Sequence, residues 1–326
     1  MSNILITGGA GFIGSNLCEE LITKGNRIVI IDNFNDYYDP KIKMNNINEI
    51  KNTMEVNDID NEYLRLVKGD IRDMDLLDSI AEEEEIDLIV HLAAMAGVRP
   101  SIQDPKLYYD VNIMGTLNIL EMCKKHDIKN IIFASSSSVY GNNKKVPFSV
   151  EDAVDHPISP YASTKKSGEL LCHTYHHLYN INCICLRFFT VYGPRQRPDL
   201  AIHKFTKLIT EGKEIPFYGD GSTSRDYTYI ADIVDGIEKA INYINTNEDV
   251  YEIFNLGGDK TVSLTEMVET IEISLGKKAI INRMPMQAGD VNRTCADITK
   301  SEEVLGYRPK FSFKEGIDNF VKWFTK

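Results

Sequence analysis

A phenol and an amine stand four positions apart in the segment Y-A-S-T-K at 161–165. On a helix, Tyr161 and Lys165 lie on the same face, one turn apart. A free phenol has a pKa of about 10, which is too high for a base at neutral pH. A nearby lysine ammonium favours the phenolate and lowers that pKa. The pair therefore predicts a tyrosine that takes a proton from a substrate hydroxyl.

Four consecutive serines, Ser135 to Ser138, follow the apolar run N-I-I-F-A. A buried strand that ends in four hydroxyls needs polar groups to hydrogen-bond them. We therefore predict that a polar ligand meets the strand at this end. Ser137 and Ser138 cannot act as an acid or a base near neutral pH. Reaction steps that need a further acid or base are not expected here.

The segment T-G-G-A-G-F-I-G follows an apolar run at 3–7 and precedes a helix-patterned stretch. Glycines in such a turn let the backbone approach a pyrophosphate, and the helix N-terminus offers free N–H groups. The spacing therefore predicts a dinucleotide site. Its residues are Gly8, Gly11, Phe12, Ile13 and Gly14.

A second apolar run ends in Asp32, whose carboxylate can accept both ribose hydroxyls of an adenosine. Asn33 follows it, and no arginine or lysine stands beside it to receive a 2′-phosphate. We therefore expect NAD rather than NADP. Residues that end the next two strands are expected to meet the adenine, the pyrophosphate and the nicotinamide ribose: Asp70, Ile71, Leu92, Ala93 and Ala94.

These candidates must be positioned by a sheet, because short β-branched apolar runs alternate with helix-patterned stretches. Such runs indicate parallel strands covered on both faces, hence an α/β Rossmann fold with a doubly wound parallel sheet. The pattern changes near residue 190 to proline-rich loops, which predicts a smaller C-terminal α/β substrate domain. The predicted strands are 3–7, 27–32, 64–70, 87–94, 130–136 and 181–188. The predicted domains are 1–189 with 228–258 for NAD, and 190–227 with 259–326 for the substrate.

Composition restricts the partners of this 326-residue chain. Its net charge of −12 and pI near 5.1 disfavour nucleic acid and anionic membranes. No apolar run approaches the roughly 20 residues needed to cross a bilayer. The N-terminus opens into a strand and not into a signal peptide, so we expect a cytoplasmic protein. The six cysteines lack metal-site spacing, and no metal is expected.

Together the motifs resemble extended short-chain dehydrogenases/reductases and, among these, nucleotide-sugar 4-epimerases, most of all those acting on uronates. The resemblance implies a Rossmann domain with tightly held NAD and a C-terminal domain that binds a UDP-sugar. It also implies a homodimer with a four-helix interface, here near 103–126 and 160–179. The motifs that carry it are TGGAGFIGSN, DN, GDIRD, HLAA, VNIMGT, SSSSVYG, PYASTKKSGE, RFFTVYGPRQRPD, DGSTSRDYTYI and QAGDV.

The resemblance also implies roles for single residues. Ser136 matches the hydroxyl that binds the sugar 4-hydroxyl beside Tyr161, and Asn112, in VNIMGT, is implied at the cofactor. Arg225 matches an arginine that binds the pyrophosphate. The other residues that it implies at the UDP end are Lys204, Phe217, Tyr218 and Asp290.

The substrate class is predicted from departures within this resemblance. Related dehydratases carry an Asp-Glu pair, and UDP-glucuronate decarboxylases a glutamate, where this chain has Ser137 and Ser138. Thr190 stands where UDP-glucose epimerases have asparagine. The segment A-G-V-R-P-S, which contains Arg99, resembles the corresponding segment of the uronate epimerases. We expect the hydroxyls of Ser137, Ser138 and Thr190 to receive a C6 carboxylate, with help from Arg197. Binding a phosphate, or closing the loop, is the alternative role.

The resulting expectation is NAD-dependent C4 epimerisation of UDP-glucuronate to UDP-galacturonate. The sugar is oxidised transiently to a 4-keto intermediate, and the hydride returns on the opposite face. A UDP-glucose/UDP-galactose 4-epimerase and a UDP-glucuronate decarboxylase or dehydratase stay open as alternatives. From another class, an NAD-binding regulatory protein commonly loses the tyrosine–lysine pair, which is present in this chain.

Overall fold

The computed structural model describes residues 2–258, 260–285 and 293–326. Their contacts group into two compact units. The first unit is formed by Met1–Gly141, Ala153–Arg187 and Val234–Phe254, and the second by Asn142–Asp152, Phe188–Ile233 and Asn255–Lys326. The functional domain limits drawn from the sequence remain a prediction.

The strands alternate with helices along most of the first unit. In chain order the strands are β1 (Asn3–Thr7), β2 (Arg27–Asp32), β3 (Leu64–Lys68), β4 (Leu88–His91), β5 (Asn130–Ser136), β6 (Asn182–Phe188), β7 (Thr190–Tyr192), β8 (Glu214–Tyr218), β9 (Ser224–Arg225), β10 (Tyr227–Tyr229), β11 (Tyr251–Leu256), β12 (Val262–Ser263) and β13 (Ile280–Met284).

The helices differ in length, and the described residues also form three short helical turns. In chain order the helices are α1 (Phe12–Thr23), α2 (Pro40–Val56), α3 (Met74–Glu83), α4 (Val98–Gln103), α5 (Pro105–Tyr109), α6 (Gly115–Lys125), α7 (Pro160–Tyr179), α8 (Ala201–Thr210), α9 (Ile230–Thr246), α10 (Leu264–Leu275), α11 (Thr299–Leu305) and α12 (Phe313–Phe324). They are a 3-10 turn at Asn61–Tyr63, a π turn at Asp110–Met114 and a second 3-10 turn at Ser137–Tyr140.

Among the described residues, seven strands form one sheet in the order β3-β2-β1-β4-β5-β6-β11. The pairs from β3 through β5 run parallel. The chain builds outward from β1 through β2 to β3 and then returns to the other side of β1 with β4. Ligands of such sheets bind at the carboxyl ends of the strands, at this switch point. The predicted doubly wound α/β fold is confirmed.

The strands are buried because helices cover both faces of the sheet, as their continuous apolar runs predict. Leu5 and Ile131 are 0% exposed and share one apolar cluster with Leu120 of α6 and Cys172 of α7. β1, β2 and β5 have the predicted limits. β3 and β4 end earlier than predicted, at Lys68 and His91.

The second unit has a separate core around an aromatic side chain. Tyr192 of β7 is 0% exposed, and its ring centroid lies 5.2 Å from that of Phe313 at the start of α12. Gly316 makes room for this ring, since a Cβ there would lie 2.1 Å from the Tyr192 hydroxyl oxygen. β7 pairs with β10 in parallel. Within the described residues of both units, no helix is long and apolar enough to span a membrane.

Candidate active site

Tyr161 and Lys165 lie in the first two turns of α7, as their spacing predicts. Ser159 caps this helix, since its Oγ accepts a hydrogen bond from Ala162 N over 3.1 Å, and Pro160 occupies the first position. The Lys165 Nζ lies 6.0 Å from the centroid of the Tyr161 ring. The sequence thus places the phenol and the ammonium on one helix face by local geometry alone.

Lys165 is 5% exposed, and its Nζ donates to the backbone oxygen of Ala134 over 2.7 Å. The Nζ also lies 5.1 Å from the centroid of the Phe133 ring. Among the described residues no carboxylate forms an ion pair with it. Burial lowers the pKa of Lys165 to about 8, so the group keeps most of its charge at neutral pH. A buried cation with no carboxylate partner is available to stabilise a phenolate.

The four serines have different roles at the end of β5. The Ser135 Oγ points into the protein and donates to Glu169 Oε1 over 2.6 Å. The Ser136 Oγ accepts two hydrogen bonds, from Ser138 N at 3.2 Å and from Ser138 Oγ at 2.8 Å. Ser136 thereby caps the 3-10 turn that contains the remaining serines. Three of the hydroxyls are thus accounted for by contacts inside the first unit.

Ser137 is half-buried, and its hydroxyl makes no hydrogen bond within the described part of the chain. The Ser138 hydroxyl gives its only proton to Ser136. In this arrangement Ser137 can donate to a substrate, whereas Ser138 orients Ser136. The predicted carboxylate role of both serines stays a prediction, and the geometry favours Ser137.

The glycine turn forms a cradle between β1 and α1. Gly8 has a φ of +71°, and a Cβ there would lie 2.9 Å from Ala93 N. A Cβ on Gly14 would lie 2.4 Å from the Gly8 carbonyl oxygen. The first turn of the 12-residue helix α1 follows Gly11 directly, with Phe12 and Ile13 at its start. This narrow turn at a helix N-terminus fits a dinucleotide pyrophosphate.

At the end of β2, Asp32 has a partner that the sequence argument missed. Its Oδ1 accepts from Lys43 Nζ and from Phe34 N, both at 2.9 Å, and Asp32 and Lys43 are 5% and 7% exposed. No lysine or arginine is next to Asp32 along the chain, but Lys43 lies beside it in the folded protein. Lys43 lies 11 positions away on α2 and reaches Asp32 through packing. The Asp32 carboxylate binds the Lys43 ammonium and remains in place. The 2′-phosphate of NADP would therefore still meet its negative charge.

Residues after β3 form a polar cluster at the same edge of the sheet. Asp70 accepts from Arg72 Nε through Oδ1 and from Asn33 Nδ2 through Oδ2, at 2.9 and 3.0 Å. These bonds, chiefly the one from Arg72, hold the pKa of Asp70 well below its usual range. Ile71 is 5% exposed and packs against Gly115, where a Cβ would lie 2.4 Å from Ile71 Cδ1.

A buried histidine joins the glycine turn to the loop after β4. Ala93 N donates to Thr7 Oγ1 at 3.1 Å, and Thr7 Oγ1 lies 2.7 Å from His91 Nδ1. On the other side, His91 Nε2 lies 3.0 Å from Thr116 Oγ1, which donates to Asn112 O at 2.6 Å. Because Thr116 gives its proton to that carbonyl, it must accept from His91 Nε2–H. Burial lowers the pKa of His91 to about 3, so the ring is neutral at neutral pH and carries its proton on Nε2.

The Asn112 side chain is 3% exposed and clamps two segments together. Its Oδ1 accepts from Met95 N at 2.7 Å, and its Nδ2 donates to Met95 O and to Thr164 Oγ1, both at 3.0 Å. Both amide hydrogens are used in these bonds. Its predicted cofactor role stays a prediction. Leu92, Ala93 and Ala94 are half-buried beyond the end of β4, and Arg99 is exposed on α4.

Two of the predicted carboxylate ligands lie in the second unit. Thr190 begins β7, is half-buried, and its backbone N–H donates to Asp226 O at 3.1 Å. Arg197 donates through Nε and Nη2 to the two carboxylate oxygens of Asp199, at 3.0 and 2.8 Å. One edge of this guanidinium is therefore occupied by Asp199. Asp290 falls outside the described residues.

The predicted uridine and pyrophosphate residues lie on neighbouring elements of the second unit. Phe217 of β8 is 3% exposed, and the Arg283 guanidinium lies 5.2 Å from its ring centroid. Tyr218 is half-buried, and Lys204 is exposed on α8. Arg225 of β9 donates to Ser224 O at 3.0 Å. Sequence reasoning missed Arg283, since pairing of β13 with β8 brings it to Phe217.

Comparison with known proteins extends the similarity over the whole chain. A family model described as GDP-mannose 4,6 dehydratase matches residues 5–320. An uncharacterized protein of Methanocaldococcus jannaschii is 51% identical, over 99% of this chain and 96% of that protein. UDP-glucuronate 4-epimerase of Thermodesulfobacterium geofontis is 41% identical, with the same coverage. The crystal structure of UDP-glucuronic acid 4-epimerase from Bacillus cereus with UDP-glucuronic acid and NAD has a TM-score of 0.89 and 38% identity, covering 99% of both chains.

Proposed function

The chain belongs to the GDP-mannose 4,6-dehydratase family, and we propose that within it the protein is an NAD-dependent UDP-glucuronate 4-epimerase. The observation that carries this function is the buried, carboxylate-free Lys165 beside Tyr161, at the helix that follows the serine run. Related dehydratases place an acidic pair where this chain has Ser137 and Ser138. Without those acids, elimination of water lacks its proton donor and acceptor, and C4 epimerisation remains.

The first unit supplies the residues that would hold NAD. They lie in the glycine turn, at the ends of β2, β3 and β4, in the π turn before α6 or on α7: Gly8, Gly11, Phe12, Ile13, Gly14, Asp32, Asn33, Asp70, Ile71, Leu92, Ala93, Ala94, Asn112, Tyr161 and Lys165. When bound, NAD accepts the hydride from C4 of the sugar and returns it to the opposite face.

Side chains of the protein accept the proton of the C4 hydroxyl and later return it. Tyr161 as phenolate takes the proton of the C4 hydroxyl, and the Lys165 ammonium stabilises the phenolate. Ser136 binds the same sugar oxygen, and its orientation is fixed by the two hydrogen bonds from Ser138. When the hydride returns, Tyr161 gives the proton back. The tyrosine therefore ends each turnover in the state in which it began.

We propose that a carboxylate on C6 is read by hydroxyl donors. Ser137 and Thr190 each carry a half-buried hydroxyl, and that of Ser137 makes no hydrogen bond among the residues that the structure describes. Arg197 would contribute through the part of its guanidinium that does not face Asp199. Arg99 is a further proposed substrate residue, which only the family resemblance supports.

The division of labour along the chain is likewise a proposal. Residues 1–189 and 228–258 would bind NAD, and residues 190–227 and 259–326 the UDP-sugar. At the nucleotide end, Arg225 would meet the pyrophosphate. Lys204, Phe217, Tyr218 and Asp290 would complete this end of the substrate site.

The test is incubation of the purified protein with UDP-glucuronate and no added NAD, followed by NMR. The proposal expects UDP-galacturonate, without CO₂ release. Turnover of UDP-glucose with no reaction of UDP-glucuronate would instead assign the protein to the neutral-sugar epimerases. UDP-xylose or a 4-keto pentose as the main product would make it a decarboxylase.

The carboxylate assignment is tested with Thr190→Val and its control Thr190→Ser, which keeps the hydroxyl. Loss of one hydrogen bond to a charged group predicts about a tenfold lower kcat/KM on UDP-glucuronate. UDP-glucose lacks the carboxylate and should be affected far less. An equal loss on both sugars would contradict the assignment, and Arg197→Met is judged by the same comparison.

We also propose a cytoplasmic homodimer with a four-helix interface near 103–126 and 160–179. Large apolar side chains are exposed on these segments and support an interface there: Tyr109, Met114, Leu170 and Leu178 are 42%, 47%, 57% and 57% exposed. The six cysteines are free and buried, which suits a reducing compartment. Sedimentation equilibrium would check the dimer, and a monomer at micromolar concentration would contradict it.

A further inference from the structure

Four polar side chains form a buried network beneath the end of β5. Ser135 Oγ and Arg187 Nε both donate to Glu169 Oε1, at 2.6 and 2.8 Å, and Arg187 Nη2 donates to Glu169 Oε2 at 3.0 Å. Arg187 Nη1 donates to the Tyr140 hydroxyl oxygen at 3.0 Å. The four residues are between 0% and 4% exposed. Because the four side chains are buried, they do not take part directly in proton transfer at the sugar.

The network joins the segments that carry the reacting groups. Ser135 precedes the substrate serine on β5, and Glu169 lies one helical turn after Lys165 on α7. Tyr140 ends the 3-10 turn that holds the other serines. Arg187, on β6, bonds to both the helix and the turn. Through this one guanidinium, the turn is fixed relative to the helix of the tyrosine–lysine pair.

A buried ion pair is a poor source of stability, because removing two charges from water costs about as much as their attraction returns. Burial opposes the charge of Glu169, but the hydrogen bonds and charge of Arg187, the hydrogen bond from Ser135 and the charge of Lys166 together lower its pKa, so the pair is charged. The Arg187 guanidinium also lies 4.9 Å from the centroid of the Tyr140 ring. Such a pair is well suited to fixing one arrangement of the elements it joins, and here that arrangement includes the serine turn.

We propose that Tyr140, held by Arg187, is a positioning residue that keeps the serine turn rigid while the sugar is in its 4-keto form. This inference rests on the proposed epimerase function. A 4-keto uronate is a β-keto acid, which loses CO₂ when its C5–carboxylate bond stands perpendicular to the carbonyl plane. A rigid turn holds the carboxylate away from that alignment, and a loosened turn allows it.

Decarboxylation of the 4-keto intermediate leaves the cofactor reduced. The C5–carboxylate bond breaks, CO₂ leaves, and the electron pair passes through C5 to the ketone oxygen as an enolate. A proton from water then adds to C5 and gives a UDP-4-keto-pentose. C4 stays oxidised, and one reduced cofactor per released ketone balances this oxidation. The ratio of CO₂ to UDP-galacturonate therefore reports how well the turn restrains the carboxylate.

The experiment compares Tyr140→Phe with wild type on UDP-glucuronate labelled with ¹³C at C6. The variant keeps the ring but removes the oxygen that accepts from Arg187. Loss of this hydrogen bond to a charged group predicts about a tenfold rise in the ratio of labelled CO₂ to UDP-galacturonate. Tyr251→Phe is the matched control, since its hydroxyl donates to Glu169 O over 3.1 Å without contacting the turn. It should keep the wild-type ratio.

A folded Tyr140→Phe variant with the wild-type ratio would overturn the proposal, even if its melting temperature falls. If this variant does not fold, Ser135→Ala decides, because it removes one of the hydrogen bonds that fix Glu169, the carboxylate that holds Arg187 against Tyr140. It should raise the ratio about threefold, and an unchanged ratio would overturn the inference. A wild type that ignores UDP-glucuronate but epimerises UDP-glucose would overturn the proposed function and the inference with it. An active wild type with no change in either variant would overturn the inference alone.

Discussion

Two buried lysines of the first unit bind to different strands and have different partners. Lys43 is 7% exposed and lies 2.9 Å from the Asp32 carboxylate, at the end of β2. Lys165 is 5% exposed and donates to a backbone carbonyl. Burial penalises the charge of Lys165 and lowers its pKa to about 8. Only Lys43 has a carboxylate to compensate its burial.

The difference separates a structural charge from a reactive one. An ammonium held by a carboxylate cannot give its full field to another group, because the two charges largely cancel beyond their immediate surroundings. An ammonium that faces a neutral carbonyl and a phenol keeps that field and favours the phenolate. Burial of the uncompensated charge costs stability, which is a recurring feature of active sites. On the proposed function, Lys165 would therefore act in catalysis, and Lys43 would shape the cofactor site.

The largest effect is expected from removing each ammonium in turn. Lys165→Met should lower kcat about a thousandfold, because the phenolate loses its stabilising charge. Lys43→Met should change kcat at saturating NAD by less than about threefold and should mainly weaken cofactor retention. Steady-state kinetics with added NAD measure both. A comparable loss of kcat in the two variants would contradict the distinction between the lysines.

The next effect concerns the choice of cofactor. Asp32→Ser removes the carboxylate and leaves the Lys43 ammonium facing the place where Asp32 was. We expect the preference for NADP over NAD to rise about a hundredfold, since a 2′-phosphate gains a charged hydrogen bond and loses a repulsion. Binding of both cofactors to cofactor-stripped protein measures this preference. The double variant Asp32→Ser/Lys43→Met should lose this gain in NADP preference. An equal gain in the single and the double variant would exclude Lys43 as its cause.

A smaller effect is expected from His91, which is also buried but, unlike the two lysines, is neutral. Its pKa falls from about 6.5 in an unfolded chain to about 3 in the folded protein. The unfolded state therefore binds the extra proton below about pH 6.5, and stability is lost as the pH falls from there toward 3. Between pH 6 and 4.5 this costs about 2 kcal/mol of unfolding free energy.

The His91→Gln variant lacks this titration and should lose about 2 kcal/mol less than wild type over the same interval. Denaturant unfolding at both pH values measures the difference, and carboxylate effects cancel in the comparison. Equal losses in the two proteins would mean that burial does not lower the pKa of His91 in the folded protein, and would contradict the prediction.

Much of the site could be predicted from the sequence, because its parts are local. The glycine turn requires glycines at fixed spacing, and Gly8 has the positive φ that such a turn needs. Tyr161 and Lys165 share a helix face because four residues make one turn. β1, β2 and β5 have the predicted limits, since β-branched runs covered on both faces specify strands. In each case the interacting residues are neighbours along the chain.

The pairings between distant positions could not be predicted. Lys43 reaches Asp32 from the next helix, and Arg187 reaches Glu169 and Tyr140 from another strand. The sequence likewise predicted four serine hydroxyls at one strand end, but not that the Ser138 proton is donated to Ser136. Residue types and short spacings determined the chemistry available to this protein. Tertiary packing decided which charges are compensated, because only the folded chain fixes which buried groups lie within hydrogen-bonding distance.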